Sequence, residues 1–219
     1  MKKLLIPLLC SLVAAWSCNF ENSYYVENAH DIVTVDASQR LINDNGVVYT
    51  ISENTSNLPA LKEESRYYVS FDILNQQFQI RMCSANPVDI CTLEVLPAET
   101  EGLGQDPVNP LFSQASRYYL DLGISYYVAS GSNYAHQIKF YYTLDNAESQ
   151  LNIHVYHDGN GESPVSMEEK DLKLESKVIS MPIAQWVKTV NEIVIHFDVL
   201  VKDSTTGKYV TARREYTLR

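Results

Sequence analysis

Residues 191–201 read "NEIVIHFDVLV". Ile193, Ile195, Phe197, Val199 and Val201 take every second place, with Val194, His196, Asp198 and Leu200 between them. In an extended chain successive side chains point to opposite faces, so this spacing predicts a strand with one buried face. The same period recurs in "YYVSFDIL" (67–74), where Tyr67, Val69, Phe71 and Ile73 share a face. It recurs again in "QFQIRM" (77–82), through Phe78, Ile80 and Met82. Asn45-Gly46, between "LIN" and "VVYTI", is a hairpin-turn signal, and Asn75-Gln76-Gln77 suits a second turn. Only Ala60 to Ser65 and Ala184 to Asn191 look helical. The fold class expected is all-β, because short strands spaced by turns describe sandwiches and barrels.

One stretch breaks the pattern. "PAETEGLGQDPVNP" (97–110) holds three prolines, two glycines and three acids, with little that is apolar. It reads as a boundary. The expected division is a small β domain over 31–98, a linker over 99–109 and a larger antiparallel β-sandwich over 110–219. Cys83 and Cys91 flank "SANPVDI". A hairpin centred on Pro87 would set them opposite one another, within reach of a disulfide. Two small buried or half-buried thiols explain the same pair equally well.

The chain opens Met1-Lys2-Lys3, then an apolar run from Leu4 to Ala15 that is too short to cross a bilayer. A basic start, an apolar run and small residues at its end describe a secretory signal peptide, here 1–17. Cys18 follows Ser17, with Ala15 three places before it, which resembles the lipobox of bacterial lipoproteins. That resemblance implies cleavage before Cys18, lipid on its thiol, and a polar tether over 18–30. Removing residues 1–17 leaves 15 basic and 27 acidic residues, a formal charge of −12. Such a chain repels nucleic acid phosphates and anionic lipid heads, so any membrane attachment falls to the lipid.

The order of motifs is a lipobox, a small β domain, "GQDPVNPLF", "RYYLDLGISYY", "AHQIKFYY", "LNIHVYHDGNGE" and "SKVISMPIAQW". This resembles the NigD-like family of Bacteroidetes lipoproteins. Its most specific pieces are Gly104-Gln105-Asp106-Pro107, "YLDLGI", His136 and the His157-Asp158-Gly159-Asn160-Gly161 turn. The resemblance implies an OB-like N-terminal barrel, a C-terminal β-sandwich and a place in the cell envelope, at the outer membrane of a Gram-negative bacterium. The family name adds immunity as a suggestion, and no agreed activity comes with it.

Motifs of catalysis are missing from the sequence: it has no G-x-S-x-G, P-loop or G-x-G-x-x-G. His154 and His157 stand three apart, which on a strand sends them to opposite faces, so they read as surface groups rather than joint metal ligands. Asp158, Asn160, Glu162 and Glu169 imitate the offsets of a calcium loop, but Ser163 stands where glycine is needed. The expectation is no enzyme, no metal and no cofactor. Adjacent tyrosines leave one candidate surface. Tyr118, Tyr126 and Tyr142 share parity with apolar neighbours and are expected in the core. Tyr119, Tyr127 and Tyr141 are expected outside, on an aromatic platform if their strands are neighbours. The partners expected are the membrane, an envelope protein or a glycan, and no nucleic acid.

Overall fold

The computed structural model describes residues 25–54, 60–147 and 149–218. The signal segment and Cys18 lie outside the described residues. Five strands form a closed barrel: β1 (Val26–Val35), β2 (Leu41–Asn43), β3 (Val48–Asn54), β4 (Arg66–Ile73) and β5 (Gln79–Pro87), in the order β1-β2-β3-β5-β4. The predicted turns close its hairpins. Gly46 takes φ +83 between β2 and β3, and the Asn75 side chain accepts the backbone N–H groups of Gln77 and Gln79 between β4 and β5. Val69, Phe71, Ile80 and Met82 fill the interior with Val33, Val35 and Leu41, as their alternation requires. Each such side chain contributes roughly 1.5–3 kcal/mol on burial.

The remaining strands are β6 (Asp89–Ile90), β7 (Glu94–Val95), β8 (Asn109–Ala115), β9 (Tyr119–Ala129), β10 (Gln137–Asp145), β11 (Gln150–Asp158), β12 (Leu172–Pro182), β13 (Glu192–Lys202) and β14 (Tyr209–Leu218). They form a five-stranded sheet, β14-β13-β11-β10-β7, and a four-stranded sheet, β6-β12-β9-β8. Leu120, Leu122 and Ile124 from one meet Ile153, Ile195 and Phe197 from the other in a shared core. The all-β barrel-then-sandwich architecture is therefore as expected. The sandwich is mixed rather than antiparallel, because β12 crosses to the opposite sheet and leaves β11 and β13 parallel.

The boundaries differ from the sequence reading. Val26 already pairs with Ile73, so residues 26–30 belong to the barrel and not to a tether. The barrel ends at Pro87, and the next residues enter the sandwich: Ile90 pairs with Ser180 and Val95 with Tyr142. Residues 99–109 are not a free linker either. Gln105 bridges to His157, and the Val108 N–H bonds the Asp198 carbonyl while its side chain joins the core. Polar composition concealed this, because the segment is held mostly through its backbone. Ala60 to Ser65 and Ala184 to Asn191 form turns rather than helices.

No hairpin forms at Pro87. The chain runs extended from β5 into β6, and Cys83 and Cys91, both partly buried, are not bonded to each other. Eight residue steps at about 3.3 Å each set them far beyond disulfide reach.

Candidate functional site

The barrel meets the sandwich on the outer face of β9. Arg66, at the start of β4, is 2 % exposed. Its guanidinium bonds Asp44 at 2.8 and 3.0 Å, both Asp121 oxygens at 3.2 Å and the Ser180 hydroxyl at 3.0 Å. Its centre lies 3.8 Å from the Tyr119 ring centroid. Ser180 in turn donates to Asp121. Burial pushes the Asp121 carboxyl up, against the pull of the Ser180 hydroxyl and Arg66. Beside this cluster a bulge in β8 between Pro110 and Phe112 turns the Phe112 ring over Gly123. The row continues into the barrel, with Tyr68 stacked on Phe112 at 5.8 Å and His30 on Tyr68 at 5.7 Å.

A second polar cluster ties the loops at one end of the sandwich. His136 Nε2 lies 3.0 Å from Glu162, and His136 Nδ1 lies 2.9 Å from His157 Nε2. Glu162 also accepts from the Ser132 hydroxyl and the Ala129 N–H, and these bonds hold its carboxyl down at about 2, the Ser132 bond foremost. The tautomers of the two rings set which of them donates across the shared contact. Burial lowers the affinity of His157 for a proton. Asp106 accepts the N–H groups of Gly159 and Gly161 at 2.8 and 3.0 Å, and its own N–H bonds the His157 carbonyl.

The sequence reading of this loop is corrected on two points. His157 is 2 % exposed rather than on the surface, because its parity on β11 is inward. Glu162 is committed to three donors, so the calcium-like offsets build a hydrogen-bonded turn. Among the described residues no group of three or more His, Cys, Asp or Glu side chains is arranged to hold a metal ion.

The outer face of the larger sheet carries one continuous rung, Glu94–Tyr141–His154–His196–Glu215, from β7 to β14. The two imidazoles stack at 4.6 Å with planes 7° apart. Burial, the neighbouring His196 and Arg213 together lower His154 to about 4. The tyrosine platform does not form. Tyr119 and Tyr127 lie on β9 and Tyr141 on β10, and these strands belong to different sheets. Tyr119 is covered by Arg66, Tyr127 is half-buried, and Tyr141 packs edge-on against Tyr156 and is 6 % exposed. Tyr126 is in the core as expected, and Tyr142 packs on Trp186 at its margin. Tyr118 is instead 50 % exposed, because a turn capped by the Ser116 hydroxyl lifts it out before β9 begins.

Arg66 and Asp121 were not singled out in the sequence. The sequence carried no signal for them, because Asp121 shares its parity with Gly123 and Ser125, which reads as a solvent-facing set.

No family model matches the chain, and no curated protein matches it. Solved structures do. A domain-of-unknown-function protein from Bacteroides vulgatus aligns with TM-score 0.61 at 14% identity, covering 88% of this chain and 90% of its own. A candidate lipoprotein from Bacteroides fragilis aligns with TM-score 0.59 at 12% identity, covering 87% and 96%. A NigD-like immunity protein from Bacteroides caccae aligns with TM-score 0.58 at 19% identity, covering 87% and 96%. Each likeness spans both barrel and sandwich, and the chain thus has the fold of the solved NigD-like immunity protein.

Proposed function

We propose that this chain is exported, held in the cell envelope by lipid on Cys18, and acts there as a non-catalytic interaction protein. One observation carries the non-catalytic part: the acids and bases of the two polar clusters are spent on fastening the fold. Arg66, Asp121, Ser180, His136, His157, Glu162 and Asp106 bond one another or nearby backbone and loop hydroxyls, and most of them are buried. A nucleophile or general base needs an accessible reacting atom, and these clusters offer none. The envelope part is supported by the signal-like front and by the names of the aligned lipoprotein and immunity protein. The immunity role and the outer-membrane location belong to the same proposal. The glycan alternative loses its premise with the tyrosine platform.

Mass spectrometry of the mature N-terminus tests this reading, with an acylated Cys18 expected. Cys18→Ala is expected to leave the membrane fraction. An unmodified N-terminus elsewhere overturns the anchoring.

A further inference from the structure

The smaller sheet of the sandwich ends at β8, whereas the larger continues past β13 to β14. β8 lies across β13: the Val108 N–H just before it bonds the Asp198 carbonyl, and Ala115 at its end shares a hollow with Ile193 and Leu218. The inner face of β14 is left open. Val210 and Tyr216 sit opposite Val201 and Ile195 and so continue their core parity. Ile195 is 0 % exposed, yet Val210 is 40 % and Tyr216 41 % exposed. Among the described strands β8 is paired by β9 alone. Ser116 donates to the Tyr119 carbonyl where their hairpin closes, so alternation turns the N–H and C=O of Ser113 and Ala115 toward the open side. A free edge of this kind is a template for another strand.

The hollow where β8 meets Leu218 measures about 140 Å³. Leu151, Ile183, Trp186 and Ile193 bring core residues to its lining, beside Ala115 and Leu218. An apolar cavity of about 150 Å³ holds a benzene ring, so one Phe or Leu side chain suits it. Arg214 is the charge on the open strip. It sits opposite Phe197, which gives it the inner parity, and it is exposed. It has no ion-pair partner among the described residues, whereas Arg213, on the other face, is held by Asp198. Over 208–218, Lys208, Arg213 and Arg214 stand against one acid, Glu215, in a mature chain of formal charge −12.

We propose that an extended, acidic segment of a partner protein adds to the free edge of β8 and lies over the inner face of β14, in the strand position that the smaller sheet lacks. Its backbone takes the N–H and C=O groups of Ser113 and Ala115. A large apolar side chain enters the hollow, and a carboxylate meets Arg214. Strand addition draws affinity from main-chain hydrogen bonds and specificity from pockets for alternate side chains. Leu218 and Arg214 lie four residues apart on β14, so the apolar residue and the acid stand four apart on the segment and point the same way. A second copy of this chain offers β14 as its own exposed strand, and that strand is basic, so charge favours the acidic partner. The proposal rests on the interaction role given above and supplies its surface. Lipid on Cys18 is read separately, so either can fail without the other.

The test is titration of the mature chain, produced without its lipid, with the peptide Thr-Phe-Thr-Val-Thr-Glu-Thr, followed by amide shifts and calorimetry. Its Phe, Val and Glu share one face of a strand. The same peptide with Lys for Glu, and a scrambled peptide, are the controls. The Glu peptide is expected to shift Ser113, Ala115, Val210, Tyr216 and Leu218 and to slow exchange of the Ser113 and Ala115 amides, with the scrambled peptide silent. Arg214→Glu is expected to weaken its binding about fivefold or more and to prefer the Lys peptide. Ala115→Pro removes one edge N–H and should abolish binding. Arg214 is exposed, so the charge swap stands even where Ala115→Pro destabilises the fold. Thr211→Glu, on the other face of β14, should leave affinity unchanged. No shift with the Glu peptide, equal binding of the scrambled peptide, or Arg214→Glu without the swapped preference overturns the proposal. Self-association in the ultracentrifuge that Arg214→Glu abolishes, with the peptide silent, overturns it in favour of a second copy.

Discussion

The guanidinium of Arg66 lies 3.8 Å from the ring of Tyr119 and also bonds Asp121, two residues further along β9. One barrel residue thus grips two neighbouring positions of a sandwich strand. Removing one partner of a buried ion pair costs about 3–5 kcal/mol, because the other charge is left uncompensated. Arg66→Met is therefore expected to destabilise the protein by that order. Arg66→Met combined with Asp121→Leu should recover part of the loss. Calorimetry checks both, and a double variant less stable than Arg66→Met contradicts the pairing.

Two glycines separate a clash with a ring from a clash with backbone. A Cβ on Gly123 would stand 2.3 Å from Phe112 Cε1, and a Cβ on Gly104 would stand 2.4 Å from the His157 carbonyl oxygen. Phe112 can turn, whereas the carbonyl is fixed by the Asp106 N–H. Gly123→Ala should cost about 1–3 kcal/mol, the usual range for overpacking. Gly104→Ala should cost more. Phe112→Leu should relieve the first variant and leave the second unchanged, as denaturant midpoints will show.

Acid should act in two windows. His154, His157 and His196 all bind protons less readily in the fold than in the open chain, with burial the leading cause in each. The unfolded chain therefore takes up protons first, and stability falls as pH drops below about 6.5, for His154 down to about 4. Glu162 works lower. Its carboxyl is depressed to about 2, so its contribution is complete above about 4.5 and is lost between those values. Melting temperature against pH should decline through both windows. His154→Asn should flatten the upper one and Glu162→Gln the lower one.

The barrel and the strands of the sandwich were legible because alternation at period two survives in the sequence wherever one face is buried. β13 and β4 show it plainly. β9 shows why the outer surface was not legible. Its second parity, Tyr119 to Tyr127, looks surface-like, yet Asp121 and Ser125 are buried, Asp121 beneath Arg66 of the barrel, with the Phe112 ring over Gly123 between them. Parity states which residues share a face and not what covers that face. Pairing across sheets is equally hidden: β9 and β10 are consecutive in sequence and lie in opposite sheets. The residues that carried the family resemblance did mark something physical. Gly104, Asp106, His136, His157, Gly159 and Gly161 converge in one loop cluster, while Asp121 and Gly123 sit at the junction.

The last expectation concerns the segment once read as a linker. Glu99, Glu101 and Gly102 are exposed, so a protease should nick the chain first within 98–103. Two domains on a tether would then separate. Here the N-terminal fragment still carries β6 and β7, which pair with β12 and β10 of the other fragment. It also carries Arg66, bonded to Asp121 and Ser180. The nicked protein should therefore elute as one particle at neutral pH and fall apart only in denaturant. Arg66→Met should lower the denaturant concentration at which the fragments part. Separation of the nicked fragments under native conditions would show that β6, β7 and Arg66 do not hold the two halves together.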